Sequence, residues 1–354
     1  MGNYDQMAAA VSELSGGKSV VLLDDIGLPS IYVRIPKGKN SDLVSGLSQN
    51  IHPAFNVESN GAVVEKTAFY YSKYQNIIEN GRAYSLAHRD PANSLNFDAA
   101  RQACEAKGPG FHLATLSEWA YLALWCRKNG TMPHGNNNYG CDSSYTYEKG
   151  EESAKDSGRT GRCFTGSGPN TWNHNWQSDG ICDLNGNVWE WNAGMRLVDG
   201  EIQIIPYNNA AMGSECDMSP TSTLWKAIKA DGTLVAPGTA GTLKWDWVSG
   251  KIQLTSGAVT YKTDAGQGIQ YKDMTLASGL TVPELAKILL LYPDEPGGDY
   301  GGDYHWFNAV GERLPVCGGR WSDTSSAGGF NVLLDYPRSG VYWNIGFRSA
   351  FVDL

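Results

Sequence analysis

Cys317-Gly-Gly-Arg-Trp321, Phe330-Asn-Val-Leu-Leu-Asp335 and Trp343-Asn-Ile-Gly-Phe-Arg348 close the chain. Two kinds of position interleave in the second and third runs. Phe330, Val332 and Leu334 alternate with Asn331, Leu333 and Asp335. Trp343, Ile345 and Phe347 alternate with Asn344, Gly346 and Arg348. A period of two predicts strands with one buried face, the first set of each run inward and the second outward. Tyr336-Pro-Arg-Ser-Gly-Val-Tyr342 between them reads as a turn-rich surface. From Arg313 to Leu354 there is no Lys, Glu, Gln or Met.

Outward from this stretch, composition narrows the choices. The 354 residues suffice for one large domain with an appendage, or for two domains, and can bury a sizeable core without metal or disulfides. The formal charge is −9, with 28 Lys and Arg against 37 Asp and Glu. An acidic chain without a basic patch argues against nucleic acid as a partner. Charged residues make up only 18%, while Gly (42) and Trp (12) are plentiful, which suits a loop-rich domain better than a helix bundle. The seven Cys include no CxxC pair, so neither a zinc site nor a complete disulfide framework is implied. Free, buried thiols in a reducing cytoplasm are expected. Met1-Gly-Asn-Tyr-Asp5 lacks a basic leader region and no apolar run reaches spanning length, so neither a signal peptide nor membrane insertion is expected.

Residues 1–50 read as an appendage or assembly module: a helix from Tyr4 to Leu14, strands at Ser19–Leu23 and Ile31–Ile35, then a polar linker from Lys37 to Asn50. A domain over 51–354 follows. Val57 to Tyr74 has strand character, as does Tyr84–Leu86. Ser94 or Asn96 caps a helix from Phe97 to Lys107. Thr115 and Glu118 form a T-x-x-E capping box for a second helix, stopped by Gly130. Pro133 to Gly180 is a long polar loop that must be pinned by its aromatics or be functional. Residues 195–311 read as an insertion with short strands at Lys251–Leu254 and Ala258–Lys262 and a helix within Val282–Leu291.

Taken in order, Leu116-Ser-Glu-Trp119, Gly186-Asn-Val-Trp-Glu-Trp191, Gly318-Gly-Arg-Trp321 and Asn344-Ile-Gly-Phe-Arg348 form a set. It resembles the C-type-lectin-like fold in its formylglycine-generating-enzyme branch, where a "TEAEWEYAAR"-type helix, "GNVWEW", "RGGSW" and "GFR" recur. The implied fold class is α+β, with mixed short strands, two helices and long loops. An oxidase of that branch needs a reactive Cys pair after the Gly-Gly-x-Trp motif. Here Ser322-Asp-Thr-Ser-Ser326 follows, and no Cys lies beyond Cys317. A related iron enzyme would need a His cluster, and the six His show no HxxxH spacing. The Glu-Pro-Asn and Gln-Pro-Asp triplets of calcium-dependent sugar lectins are also missing.

The segment 317–348 more closely resembles the variable proteins of diversity-generating retroelements, with "GGxW…AGxF…ARSxSxWNIGFRSA". The matching residues are Gly318-Gly-Arg-Trp321, Ala327, Gly328, Phe330, Arg338, Ser339 and Trp343-Asn-Ile-Gly-Phe-Arg-Ser-Ala350. Such systems rewrite template adenines, so variable codons take the form NNC, which cannot encode Lys, Glu, Gln, Met or Trp. Ser322, Asp323, Thr324, Ser326, Asn331, Leu333, Asp335, Tyr336, Gly340, Val341 and Tyr342 are all NNC-encodable. They are the expected variable, ligand-binding residues, with Tyr336 and Tyr342 as aromatic anchors.

The resemblance implies a non-enzymatic binder with no required cofactor. Its setting would be a phage tail tip recognising a protein or glycan receptor on a host cell surface, or alternatively a bacterial cell surface. A homotrimer would multiply modest single-site contacts. The rivals are a formylglycine-generating-enzyme-like oxidase and a fixed-specificity surface lectin. The enzyme branch also implies a structural Ca²⁺ held by the Asp183 side chain, the Gly186 and Val188 carbonyls and Glu190.

Overall fold

Thr115 and Glu118 close their capping box in the computed structural model, which describes residues 3–59 and 61–354. Thr115 Oγ1 accepts from the Glu118 N–H at 3.2 Å, and Glu118 Oε2 accepts from the Thr115 N–H at 3.0 Å. Two backbone donors that a helix start leaves open are thereby satisfied. The helix Leu116–Asn129 ends on Gly130 at φ 67°, a left-handed stop that a Cβ would strain. The preceding helix, Phe97–Glu105, is capped by Asn96, which accepts from the Ala99 N–H at 2.9 Å. Elsewhere short strands dominate, giving a mixed α+β architecture with few helices. Among the described residues no helix is long and apolar enough to cross a membrane.

A five-stranded antiparallel sheet runs in the order Ser19–Leu23, Pro29–Pro36, Ala68–Ser72, Ser349–Phe351, Phe111–Leu113. The expected boundary at residue 50 is therefore corrected. Pro29–Pro36 pairs with Ala68–Ser72 from Tyr32↔Ser72 to Pro36↔Ala68, and Tyr32, Val33 and Ile35 are buried. A lone hairpin could not cover that apolar face, so it joins the main sheet. The supposed linker is also docked: Glu284 accepts from Asn40 Nδ2 at 2.6 Å and from the Ser48 N–H at 2.8 Å.

A six-stranded sheet runs in the order Gln267–Gln270, Tyr304–Phe307, Gly328–Leu334, Val316–Gly318, Trp189–Trp191, Ile345–Phe347. Its first two strands come from the segment read as an insertion. The rest of 195–311 builds much of an eight-stranded sheet that includes Glu201–Ile204, Lys244–Val248 and Lys251–Thr255. The insertion is thus woven into the domain. Ala258–Lys262 forms no strand, because the Thr260 and Tyr261 N–H groups both donate to the Asp246 carboxylate at 2.9 Å. The helix expected within Val282–Leu291 is shorter, Glu284–Ile288.

Gly328–Leu334 is interior to its sheet and buried on both faces. Phe330, Val332 and Leu334 pack into the larger core with the Leu116–Asn129 helix. Leu333 packs into a second core with Trp191, Val316 and Phe347. The expectation that Asn331 and Leu333 face outward is corrected: strands on either side, and cover on both faces, leave the polar set nowhere to emerge. Trp343, expected inward, is 45% exposed, because the last strand of the sheet begins only at Ile345.

Candidate functional site

The C-terminal face is two turns hung on this buried framework. Gly318 and Gly319 adopt φ 92° and 85°. A Cβ on Gly318 would come within 3.1 Å of Leu184 O and the Trp119 ring, and one on Gly319 would run into Ala327. Only glycine lets the chain leave the strand this tightly. Trp321 then fills the interior, its Nε1–H donating to Asp156 Oδ2 at 3.0 Å and its ring lying 4.7 Å from that of Trp343.

The turn Ser322–Ser326 is fastened from three sides. The Thr324 N–H donates to Asn137 O at 2.9 Å, and the Tyr139 N–H donates to Trp321 O at 2.6 Å. Asp323 accepts from the Arg320 N–H at 3.0 Å and from Arg320 Nε at 3.1 Å. Buried Asn331 reaches back, its Nδ2 donating to Ser326 O at 2.5 Å. Asn331 is therefore a positioning residue beneath the face.

The second turn, Asp335–Tyr342, is anchored by Arg338. Its guanidinium meets Glu312 and Asp98 at 3.0 Å and the Met218 carbonyl at 2.9 Å, above the Phe97 ring. Tyr336 and Tyr342 lie 4.3 Å apart, ring to ring. Burial pushes the Tyr336 hydroxyl pKa up; Tyr342, Asp335 and Asp323 add to the shift and Arg320 opposes it.

Of the eleven candidate positions, Ser322, Asp323, Thr324, Ser326, Asp335, Tyr336, Val341 and Tyr342 reach the surface, whereas Asn331, Leu333 and Gly340 are buried. Gly340 lies where a Cβ would meet the Tyr342 ring at 2.8 Å. Sequence reasoning missed Trp343, Arg320 and Trp306. Trp306 pairs with Leu333 in register and is half-buried against the second core. The aromatic run Tyr304-His-Trp-Phe307 was the available signal for it. Tryptophan lies outside the NNC set, so Trp306 and Trp343 would be constant neighbours of the variable positions.

Of the oxygens that the resemblance assigned to calcium, those of Glu190, Val188 and Asp183 are already engaged. Arg348 Nε donates to Glu190 Oε2 at 2.7 Å, and its Nη2 donates to Cys182 O at 2.6 Å and Asp183 O at 2.9 Å. Gln75 Nε2 donates to Val188 O and Glu190 Oε1, both at 3.0 Å. The Asp183 side chain accepts from the Gly166 N–H at 2.8 Å, and the Gly186 backbone packs against Asn136. Calcium needs six or more free oxygens. With Glu190 and Val188 taken by protein donors and a guanidinium in place, this set does not fit the ion. Burial works against the Arg348 charge, but Glu190, Tyr71 and Asp183 outweigh it and push its pKa up. Burial raises the Asp183 carboxyl to about 6, against the Gly166 N–H and Arg348.

All seven Cys are free, and only Cys141 is not buried. Burial drives the Cys317 thiol pKa well up, with Glu190 adding, which disfavours the thiolate that copper or nucleophilic chemistry needs.

No family model and no curated protein matches this chain. Solved structures similar to it include Treponema denticola variable protein 1, at 12% identity, covering 95% of this chain and 99% of that one, with a TM-score of 0.35. PvdO from Pseudomonas aeruginosa is 14% identical over 94% of this chain and 98% of its own, with a TM-score of 0.34. The Major Tropism Determinant P3c variant is 11% identical over 94% of this chain and 71% of its own, with a TM-score of 0.31.

Proposed function

We propose that the chain is a non-enzymatic binding protein of C-type-lectin-like fold whose C-terminal face is diversified by adenine-directed retroelement mutagenesis. Host-receptor recognition at a phage tail tip is its setting, with a protein or glycan on the cell surface as ligand and a homotrimer supplying avidity. The observation that carries this reading is the separation of roles within 317–348. NNC-encodable residues of two turns reach the surface, Tyr336 and Tyr342 with their rings 4.3 Å apart among them, while the strands beneath are buried on both faces. A rigid frame under exchangeable side chains is the arrangement of a paratope, in which Tyr anchors and Ser or Asp contacts adapt.

The test is to sequence the last segment of the gene, with its flanks, across isolates of the source population. Substitutions should concentrate at Ser322, Asp323, Thr324, Ser326, Asp335, Tyr336, Val341 and Tyr342, in codons whose template partner carries adenine. Variation should be sparser at Asn331 and Leu333, where the core limits what fits. Even or absent variation across the segment would sink the retroelement reading.

A further inference from the structure

A second recess adjoins the C-terminal face, sharing the Ser325 edge of its first turn. The long loop after Pro133, the acidic loop 294–303 and the Ser325–Gly328 turn enclose a cleft of about 720 Å³. Its walls carry four carboxylates against one guanidinium, that of Arg127. Arg127 is fully engaged: it meets Asp294 at 2.9 Å, Glu295 at 2.6 Å and the Asp299 carbonyl at 2.9 Å, with its plane 4.3 Å from the Tyr300 ring centre. Asp142 is likewise engaged, accepting from the N–H groups of Ser144, Tyr145 and Gly135 at 2.8, 3.0 and 3.1 Å.

Asp303 differs. It is 97% buried, being 3% exposed, and lies against Gly328, where any Cβ would run into both of its carboxyl oxygens. Its Oδ2 accepts from the Phe330 N–H at 2.7 Å, its Oδ1 accepts no hydrogen bond among the described residues, and the residue lines the cleft. Among the described residues no Lys, Arg or His forms an ion pair with Asp303; burial, with Asp299 adding, drives its pKa well up, so the acid keeps its proton until a cation is brought beside it. A buried carboxyl left without a counter-charge is costly, and a cationic ligand would relieve that cost.

The same cleft holds a rigid aromatic wall. Tyr145 stacks on His134 at 4.0 Å and 8°, and Trp176 meets His134 edge-on at 5.6 Å. Trp176 Nε1 is tied to Met132 O at 3.2 Å, and His134 Nδ1 is tied to Glu148 at 2.9 Å. Trp176 is 37% and Tyr145 40% exposed, so ring surface remains open to solvent. Carboxylate and aromatic faces together are the chemistry that recognises organic ammonium groups.

We propose that this cleft is a second binding site, distinct from the diversified face, for a ligand bearing an ammonium group. The ammonium pairs with Asp303 and the ligand body rests on Trp176 and Tyr145. The test titrates the full-length chain, by calorimetry and tryptophan fluorescence, with glucosamine, with choline and with the neutral N-acetylglucosamine. At least one cation should bind saturably and the neutral sugar should not. Tighter glucosamine identifies an amino sugar as the source of the ammonium; tighter choline identifies a quaternary amine. Asp303→Asn and Trp176→Ala should each weaken binding by about tenfold, the scale of a desolvated cation–π contact or ion pair. Val341→Ala, on the diversified face, should leave it unchanged. Should Asp303→Asn fail to fold, Trp176→Ala decides alone. Failure of both cations to saturate, equal binding of the neutral sugar, or full affinity in Trp176→Ala overturns the site. None of these outcomes bears on variation within 317–348, so the two proposals fail separately.

Discussion

Arg348 is the residue on which the centre of the molecule depends. Its guanidinium ties the last sheet strands to the Glu190 carboxylate and to four backbone carbonyls from two other segments. The sequence showed the Gly-Phe-Arg motif and the Glu, but gave them to different roles, one to a family signature and the other to a metal. No spacing rule pairs residues 158 positions apart, so only the folded chain reveals that the arginine occupies the cationic position. Removing one member of such a pair leaves the other charge buried and alone. Arg348→Met should therefore cost about 3–5 kcal/mol of stability, read as a drop in the urea midpoint at neutral pH. Neither Ca²⁺ nor EDTA should shift the melting temperature of the unaltered chain; a calcium-dependent rise would return the ion to this site.

Among the elements, the Gly328–Leu334 strand shows how far alternation can be trusted. The apolar phase of Phe330, Val332 and Leu334 was legible and correct, since all three enter the larger core. The other phase was misread because its cover comes from far along the chain: Trp191, Val316 and Phe347. A strand buried on both faces need not alternate at all, and Leu333 in the polar phase was the hint. Trp343 fails for the opposite reason: the sequence rhythm continues past the point where the strand ends. These assignments separate two substitutions that a one-faced strand would treat alike. Leu333→Ala should cost about 2–4 kcal/mol, as cavity formation in a core does. Val341→Ala, 55% exposed in the second turn, should stay within about 0.5 kcal/mol. Equal small losses for both in urea denaturation would mean that Leu333 is a surface residue after all.

Across the whole molecule, the order of motifs, both principal helices and the strand-rich class were legible, because capping boxes, glycine stops and periodicity are local. How the 195–311 segment interlocks with the rest was not, since its joints are long-range strand pairs and buried side chains such as His52. His52, His174 and His305 looked idle in the sequence because they lack metal-ligand spacing, yet each is buried on a backbone partner. His52 Nε2 faces Ile288 O at 3.1 Å, His305 Nε2 faces Leu290 O at 2.9 Å, and His174 Nδ1 accepts from the Ile181 N–H at 2.8 Å. Burial lowers their pKa values to about 4, about 3 and about 3, respectively. In the unfolded chain each would take a proton near pH 6.5. Between about pH 6.5 and pH 4 the unfolded state therefore binds up to three protons that the native state refuses, and stability falls as pH falls. Asp183 works the other way: with its carboxyl raised to about 6, the native state takes that proton first. The buried Asp303 carboxyl, also raised, does the same. The net excess is about one proton, a slope of roughly 1.4 kcal/mol per pH unit at its steepest. Urea midpoints measured from pH 7 to pH 4.5 should drop, beginning near pH 6.5. A flat profile over that range would show that these imidazoles accept protons in the folded state, and that the pockets around them are open to water.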